Sequence, residues 1–167
     1  IFSRSATTKD DFTFSLKVAQ LLRVSIVFVG IASLVLFLLA NFVITMMYGR
    51  EFYGSIEVLK ILLPGVLLMT IFKVMNVDLA GKGKPWVSMK AMIPALIVNV
   101  ALNIMWDAEY GAVGSSWAST ISYSLAALLF LFFYCKETKV PVKEFYRYKK
   151  SDFDFILSLK NKLKNKE

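Results

Sequence analysis

The side chains best suited to chemistry are five polar residues set in apolar surroundings, Lys73, Asn76 and Asp78 in one stretch and Asn99 and Asn103 in another, with Lys82, Lys84 and Lys90 between them. The chain has no His and one Cys, Cys135. That composition excludes disulfide frameworks, Cys/His zinc sites and Ser-His or Cys-His nucleophile pairs within this polypeptide. Hydrolytic catalysis, a metal and a cofactor are therefore not expected, and the chemistry left is recognition and movement of charged or polar groups. Asn99 and Asn103, four residues apart, share one helix face, and an unpaired amide facing hydrocarbon costs several kcal/mol. They must face protein or water, either bonding between helices or lining a hydrated path. Lys73 and Asn76 share a face, while Asp78 points elsewhere, within reach of Lys82 one turn on. Snorkelling and local pairing account for these charges; the alternative is a Lys73 that meets an anion in a cavity and an Asp78 in an ion or proton relay.

Membrane-length helices are the elements that must position these residues. Val24–Gly49 and Tyr110–Cys135 are uncharged runs of 26 residues each. A hydrocarbon core of about 30 Å needs roughly 20 apolar residues, so each run crosses it as one helix. Apolar residues make up 57% of the chain and mean hydropathy is +0.59, too apolar to solvate a compact globule of this length. Two weaker spans lie between the strong ones. The second requires Lys73 to sit about a turn inside the membrane boundary, and the third runs between Trp86 and Trp106, which fit the two aromatic belts. Pro64 and Pro94 are tolerated where neighbouring helices satisfy the freed carbonyls. The expected fold is all-α integral membrane with four transmembrane helices. Residues 1–23 form a cytoplasmic N-terminal segment, and 24–135 the transmembrane region, with spans at about 24–48, 57–80, 86–106 and 111–135. Residues 136–167 form a basic cytoplasmic tail. The chain starts at Ile1 without a signal-peptide pattern, and the reading is that it forms the C-terminal piece of a longer protein.

Charge placement supports four crossings independently. Arg4, Lys9, Lys17 and Arg23 precede the first span, Lys82, Lys84 and Lys90 lie in the second connection, and ten further cations from Lys136 to Lys166 lie in the tail. The opposite side holds Arg50 and Lys60, then Asp107 and Glu109 without a cation. This asymmetry puts both termini in the cytoplasm. The net charge of +8 is then explained by anionic lipid headgroups and needs no nucleic acid. Ser151 to Lys164 has the pattern of a short interfacial helix. Gly111, Gly114, Ser115, Ala118, Ser119, Ser122 and Ala126 form a small-residue stripe that lets another helix approach. Gly81, Gly83 and Pro85 make a tight turn; the Gly-x-Gly is no nucleotide fingerprint because no strand precedes it.

Five segments taken in order carry a family likeness: Tyr48-Gly49-Arg50-Glu51-Phe52; Val58-Leu59-Lys60-Ile61-Leu62-Leu63-Pro64-Gly65; Leu79-Ala80-Gly81-Lys82-Gly83-Lys84-Pro85; Asn99-Val100-Ala101-Leu102-Asn103; and Tyr110-Gly111-Ala112-Val113-Gly114-Ser115-Ser116-Trp117-Ala118. Over most of its length the chain resembles the C-terminal part of the polysaccharide and lipid-linked oligosaccharide flippases of the multidrug/oligosaccharidyl-lipid/polysaccharide exporter superfamily. Ile1-Phe2-Ser3-Arg4-Ser5 is similar to the segment before the family's last helix group but lacks its usual Pro.

The resemblance implies the last four of twelve or more helices arranged in two lobes around a cavity, in a bacterial or archaeal inner membrane. It also implies movement of a polyprenyl-pyrophosphate-linked oligosaccharide for O-antigen, capsule or another surface polysaccharide, by alternating access. On that reading Lys73, Asn76, Asp78, Asn99 and Asn103 are candidates for the substrate path, with Lys73 foremost. Lys82, Lys84 and Lys90 attract the pyrophosphate or lipid headgroups. Partners would be the missing N-terminal helices, anionic lipids and polysaccharide polymerase machinery. Rival readings are a peptidoglycan-precursor flippase or multidrug exporter of the same superfamily, and a scaffold that moves nothing. A membrane polymerase or glycosyltransferase would normally need catalytic groups in a large extramembrane loop, and the outward connections here are short.

Overall fold

The computed structural model describes residues 8–148, with side chains from Phe12 onward. Four α-helices follow in order, α1 (Thr8–Tyr48), α2 (Gly54–Gly81), α3 (Trp86–Thr138) and α4 (Lys143–Tyr146), with a single 3-10 turn, Arg50–Phe52, between α1 and α2. No strand occurs among the described residues. Three segments, Phe12–Tyr48, Gly54–Gly81 and Trp86–Thr138, are long and apolar enough to cross a membrane.

The longest helix doubles back on itself. At Gly111 the backbone leaves helical geometry with φ 54° and ψ −136°, a conformation open essentially to glycine alone. Ser115 Oγ donates to Asp107 Oδ1 at 2.9 Å, although eight residues of straight helix would separate them by about 12 Å. A Cβ on Gly114 would lie 2.6 Å from the Trp106 carbonyl oxygen, so the absence of a side chain lets the two arms close. Residues 86–110 and 112–138 therefore run antiparallel. Gly111, expected in the packing stripe, is exposed at the bend and acts through its backbone. Gly114, Ala118, Ser122 and Ala126 are buried and Ser115 is half-buried.

The first helix extends beyond the expected span: α1 starts at Thr8, so residues 8–23 of the expected N-terminal segment are helical and continuous with the span expected at about 24–48. No Gly or Pro interrupts Thr8 to Arg23, and Val18, Ala19 and Leu22 are buried in the core, so tertiary packing extends the helix beyond the uncharged run. At the other end α3 continues past Cys135 to Thr138 and stops where Lys139 turns left-handed, φ 58°. The interfacial helix expected at 151–164 lies outside the described residues.

Two clusters hold the bundle. At one end Val18 and Leu22 of α1 meet Phe72, Met75 and Leu79 of α2 and Val87, Phe130 and Tyr134 of α3, with the Phe72 and Phe130 rings 4.5 Å apart. At the other end Ala40 and Ile44 pack on Ile56. Along their other faces the helices present large apolar side chains outward, Leu34, Leu38, Phe42, Ile97, Ile104 and Phe132 among them. With no hydrophobic force between helices in lipid, close approach has to come from small residues. Gly65 supplies it between α2 and α3, since a Cβ there would meet Thr120 Cα at 2.9 Å. Thr120 Oγ1 donates to the Ile61 carbonyl at 2.7 Å across the same seam.

Candidate functional site

Asp78 lies on the last turn of α2 with 1% exposure. Its Oδ2 accepts hydrogen bonds from Ser15 Oγ of α1 at 3.1 Å, from Lys82 Nζ at 2.9 Å and from the Tyr134 hydroxyl of α3. Lys82 Nζ also donates to Ser15 Oγ and stands 5.9 Å from the Phe14 ring centre. One carboxylate oxygen thus gathers donors from all three long helices. A buried ion pair gains from low dielectric only when further hydrogen bonds satisfy it, and the Ser15 and Tyr134 hydroxyls provide two. The second oxygen, Oδ1, is buried with no partner among the described residues.

Local sequence builds this hub. The i, i+4 spacing of Asp78 and Lys82 brings both charges to one side of the helix end. Lys82 caps α2, and Gly83, at φ 72°, turns the chain toward α3. Lys84 reaches across to Glu137 at 2.7 Å, tying that turn to the end of α3. The Tyr134 ring is held edge-on by Phe145, centroids 5.8 Å apart, which fixes the direction of its hydroxyl. Above the hub opens a cavity of about 200 Å³ lined by Phe12, Ser15, Lys82, Lys84, Thr138 and Lys139, among others.

The other candidates are dispersed. Lys73 is exposed on α2, and Asn76 is half-buried with its Oδ1 unpartnered among the described residues. Asn103 Nδ2 donates to the Asn99 carbonyl at 2.8 Å and to Asn99 Oδ1 at 3.2 Å. The two amides therefore bond to each other along α3, where an interhelical bond was one expected reading. Asn99 also lines an apolar cavity of about 130 Å³ with Met69, Met92, Ser122 and Tyr123. Of the three basic-connection lysines, Lys82 and Lys84 join the hub end, while Lys90 is exposed with its ammonium 4.3 Å from the Trp86 ring centre.

Four participants at this end escape sequence reasoning: Ser15, Tyr134, Arg23 and Glu144. Ser15 carries no signal, and Tyr134 sits in an uncharged run where aromatics are ordinary. Arg23, 3% exposed, reads as a boundary charge, yet its guanidinium donates to the Glu144 main-chain carbonyl. Among the described residues no group of three or more His, Cys, Asp or Glu is placed to hold a metal.

The arrangement defines an all-helical membrane-type protein with a polar hub joining three helices at one end. No protein-family model, no curated protein and no solved structure matches the chain.

Proposed function

We propose that the chain crosses the membrane four times, with α3 crossing twice through its bend at Gly111, and that it forms part of a flippase for polyprenyl-pyrophosphate-linked oligosaccharides. On this reading the hub end faces the cytoplasm of a bacterial or archaeal cell. The observation that carries it is Lys73, an exposed ammonium on a membrane-length helix, about 12 Å from the end of α2 by helical rise. At that depth a cation facing hydrocarbon is costly, and such residues mark substrate or ion paths. The five-segment resemblance supplies the substrate class, and the exposed lysines near the hub end, Lys90, Lys136 and Lys139, supply attraction for a lipid-linked pyrophosphate at the cytoplasmic leaflet, while Lys82 and Lys84 are already paired with Asp78 and Glu137.

Alternating access would then come from rocking of this helix group against the helices that complete the transporter. Asn99 lines an apolar cavity, and its Oδ1 accepts from Asn103 Nδ2 when no sugar is present. The test is the sidedness of lipid-linked oligosaccharide in cells depleted of the parent protein. Accumulation on the cytoplasmic leaflet, relieved by the wild-type gene, supports the flippase. Unchanged sidedness with new sensitivity to toxic cations moves the protein to the drug-exporter branch.

One observation favours a second reading, a membrane scaffold of polysaccharide assembly that moves nothing. Asp78 is bonded to sister helices through Ser15 and Tyr134, as a structural charge would be. Unchanged sidedness without cation sensitivity selects it.

A further inference from the structure

We infer that α1 pairs with α1 of a second copy of this chain, side by side in the membrane, through a seam centred on Asn41, independently of what the chain carries. Asn41 lies in the uncharged run of α1, seven residues before Tyr48 and so about 10 Å from the helix end by helical rise. Its side chain is exposed, and no described residue bonds to it. Lipid at that depth offers an amide neither donor nor acceptor, so the exposed side chain requires a polar partner within the membrane.

The neighbours of Asn41 form the seam. Ile31, Leu34, Leu38, Asn41, Thr45 and Tyr48 follow one another at alternating steps of three and four residues, the spacing that keeps side chains in line when two helices cross at about 20°. Five of the six are exposed, and Thr45 is half-buried. The face that α1 turns to α2 lies elsewhere, at Ala40 and Ile44, packed on Ile56, so the bundle does not compete for the seam. An apolar line by itself draws no helix out of lipid. The amide decides what covers it. An amide carries both donors and an acceptor and therefore complements its own kind. Copies inserted with one topology hold Asn41 at the same depth, and a two-fold axis along the membrane normal sets the two amides opposite each other. A single Asn of this sort fixes register and partner number in a helical seam, and no charged residue lies between Ile31 and Tyr48 to oppose the approach.

The test uses the full chain in membranes, with Cys135→Ala as background and one of Leu34→Cys, Leu38→Cys, Leu39→Cys or Met46→Cys, all at exposed positions. Disulfide formation requires Cα atoms about 4.4–6.8 Å apart, which across this pairing only seam positions offer. Under a membrane-permeant oxidant, positions 34 and 38 are expected to give a cross-linked dimer. Positions 39 and 46, about a quarter-turn or more round α1 from the seam, should stay at the level of the background. Asn41→Leu should weaken dimerisation about three- to fifteenfold, read by energy transfer between labelled copies as the protein is diluted into lipid. Asn41→Gln, which keeps the amide, should weaken it less. Equal cross-linking at all four positions overturns the inference, because it reports collision alone. Absence of a cross-link at 34 and 38 overturns it as well and gives the seam to a helix of another kind. A dimer of unchanged affinity in Asn41→Leu overturns it too, since the amide would then contribute nothing.

Discussion

Tyr134 and Asp78, 56 residues apart in sequence, are joined hydroxyl to carboxylate inside the bundle, and this bond ties the end of α3 to the end of α2. Its strength follows from the acceptor: hydrogen bonds to charged groups are worth about 1.5–3 kcal/mol, roughly twice the neutral value. Tyr134→Phe keeps the ring between Phe130 and Phe145 and removes only the donor. The expected loss of stability is about 1–3 kcal/mol, read as a lower thermal midpoint of the purified protein in detergent.

Asp78→Ala should cost more than Tyr134→Phe. It leaves the Lys82 ammonium, whose side chain is 9% exposed, without its carboxylate, and breaking a buried pair from one side costs about 3–5 kcal/mol. The double variant Asp78→Ala/Lys82→Met, which removes both charges, should recover part of that loss. The same thermal melt checks both, and a double variant weaker than Asp78→Ala alone would contradict the pairing.

Two glycines should resist substitution for different reasons. Gly65→Ala places a Cβ 2.9 Å from Thr120 Cα, a backbone atom that cannot swing aside, so α2 and α3 must separate; overpacking of this kind costs about 1–3 kcal/mol. Gly111→Ala meets no neighbour within 4 Å but forces a side chain into φ 54°, with strain of about 1–3 kcal/mol. A further enlargement to Leu separates the two causes. It should worsen position 65 sharply and position 111 little, as read by thermal midpoint.

The long apolar helices and the pairing of Asp78 with Lys82 were legible because each depends on local pattern: uncharged runs for the first, i, i+4 spacing for the second. Ser15 and Tyr134 were not, because nothing within a turn of either points to a carboxylate on another helix. The helical stretch ahead of the first expected span is not legible for a similar reason. Lys17 and Arg23 look like residues outside the membrane, yet the helix continues beneath them because Val18, Ala19 and Leu22 fill the core. Gly111 was read as packing from its spacing with Gly114 and Ala118; its backbone role shows only when the two arms of α3 are seen side by side.

Cysteine scanning at positions 73, 76, 99 and 103 separates a substrate path from simple packing. If these positions line a hydrated route, single cysteines there in the membrane-embedded protein react with aqueous thiol reagents, and added lipid-linked oligosaccharide slows the reaction. Position 73, exposed on α2, should react fastest. Four unreactive positions would contradict the path.

The four-crossing account is tested most directly by sided labelling of single cysteines at Pro85 and Ala108, both exposed and at opposite ends of the first arm of α3, in the Cys135→Ala background. An impermeant thiol reagent added to intact cells, or to spheroplasts if an outer wall blocks it, should label Ala108→Cys and leave Pro85→Cys untouched until the membrane is opened. Labelling of both positions, or of neither, from one side would contradict a chain that crosses the membrane between them.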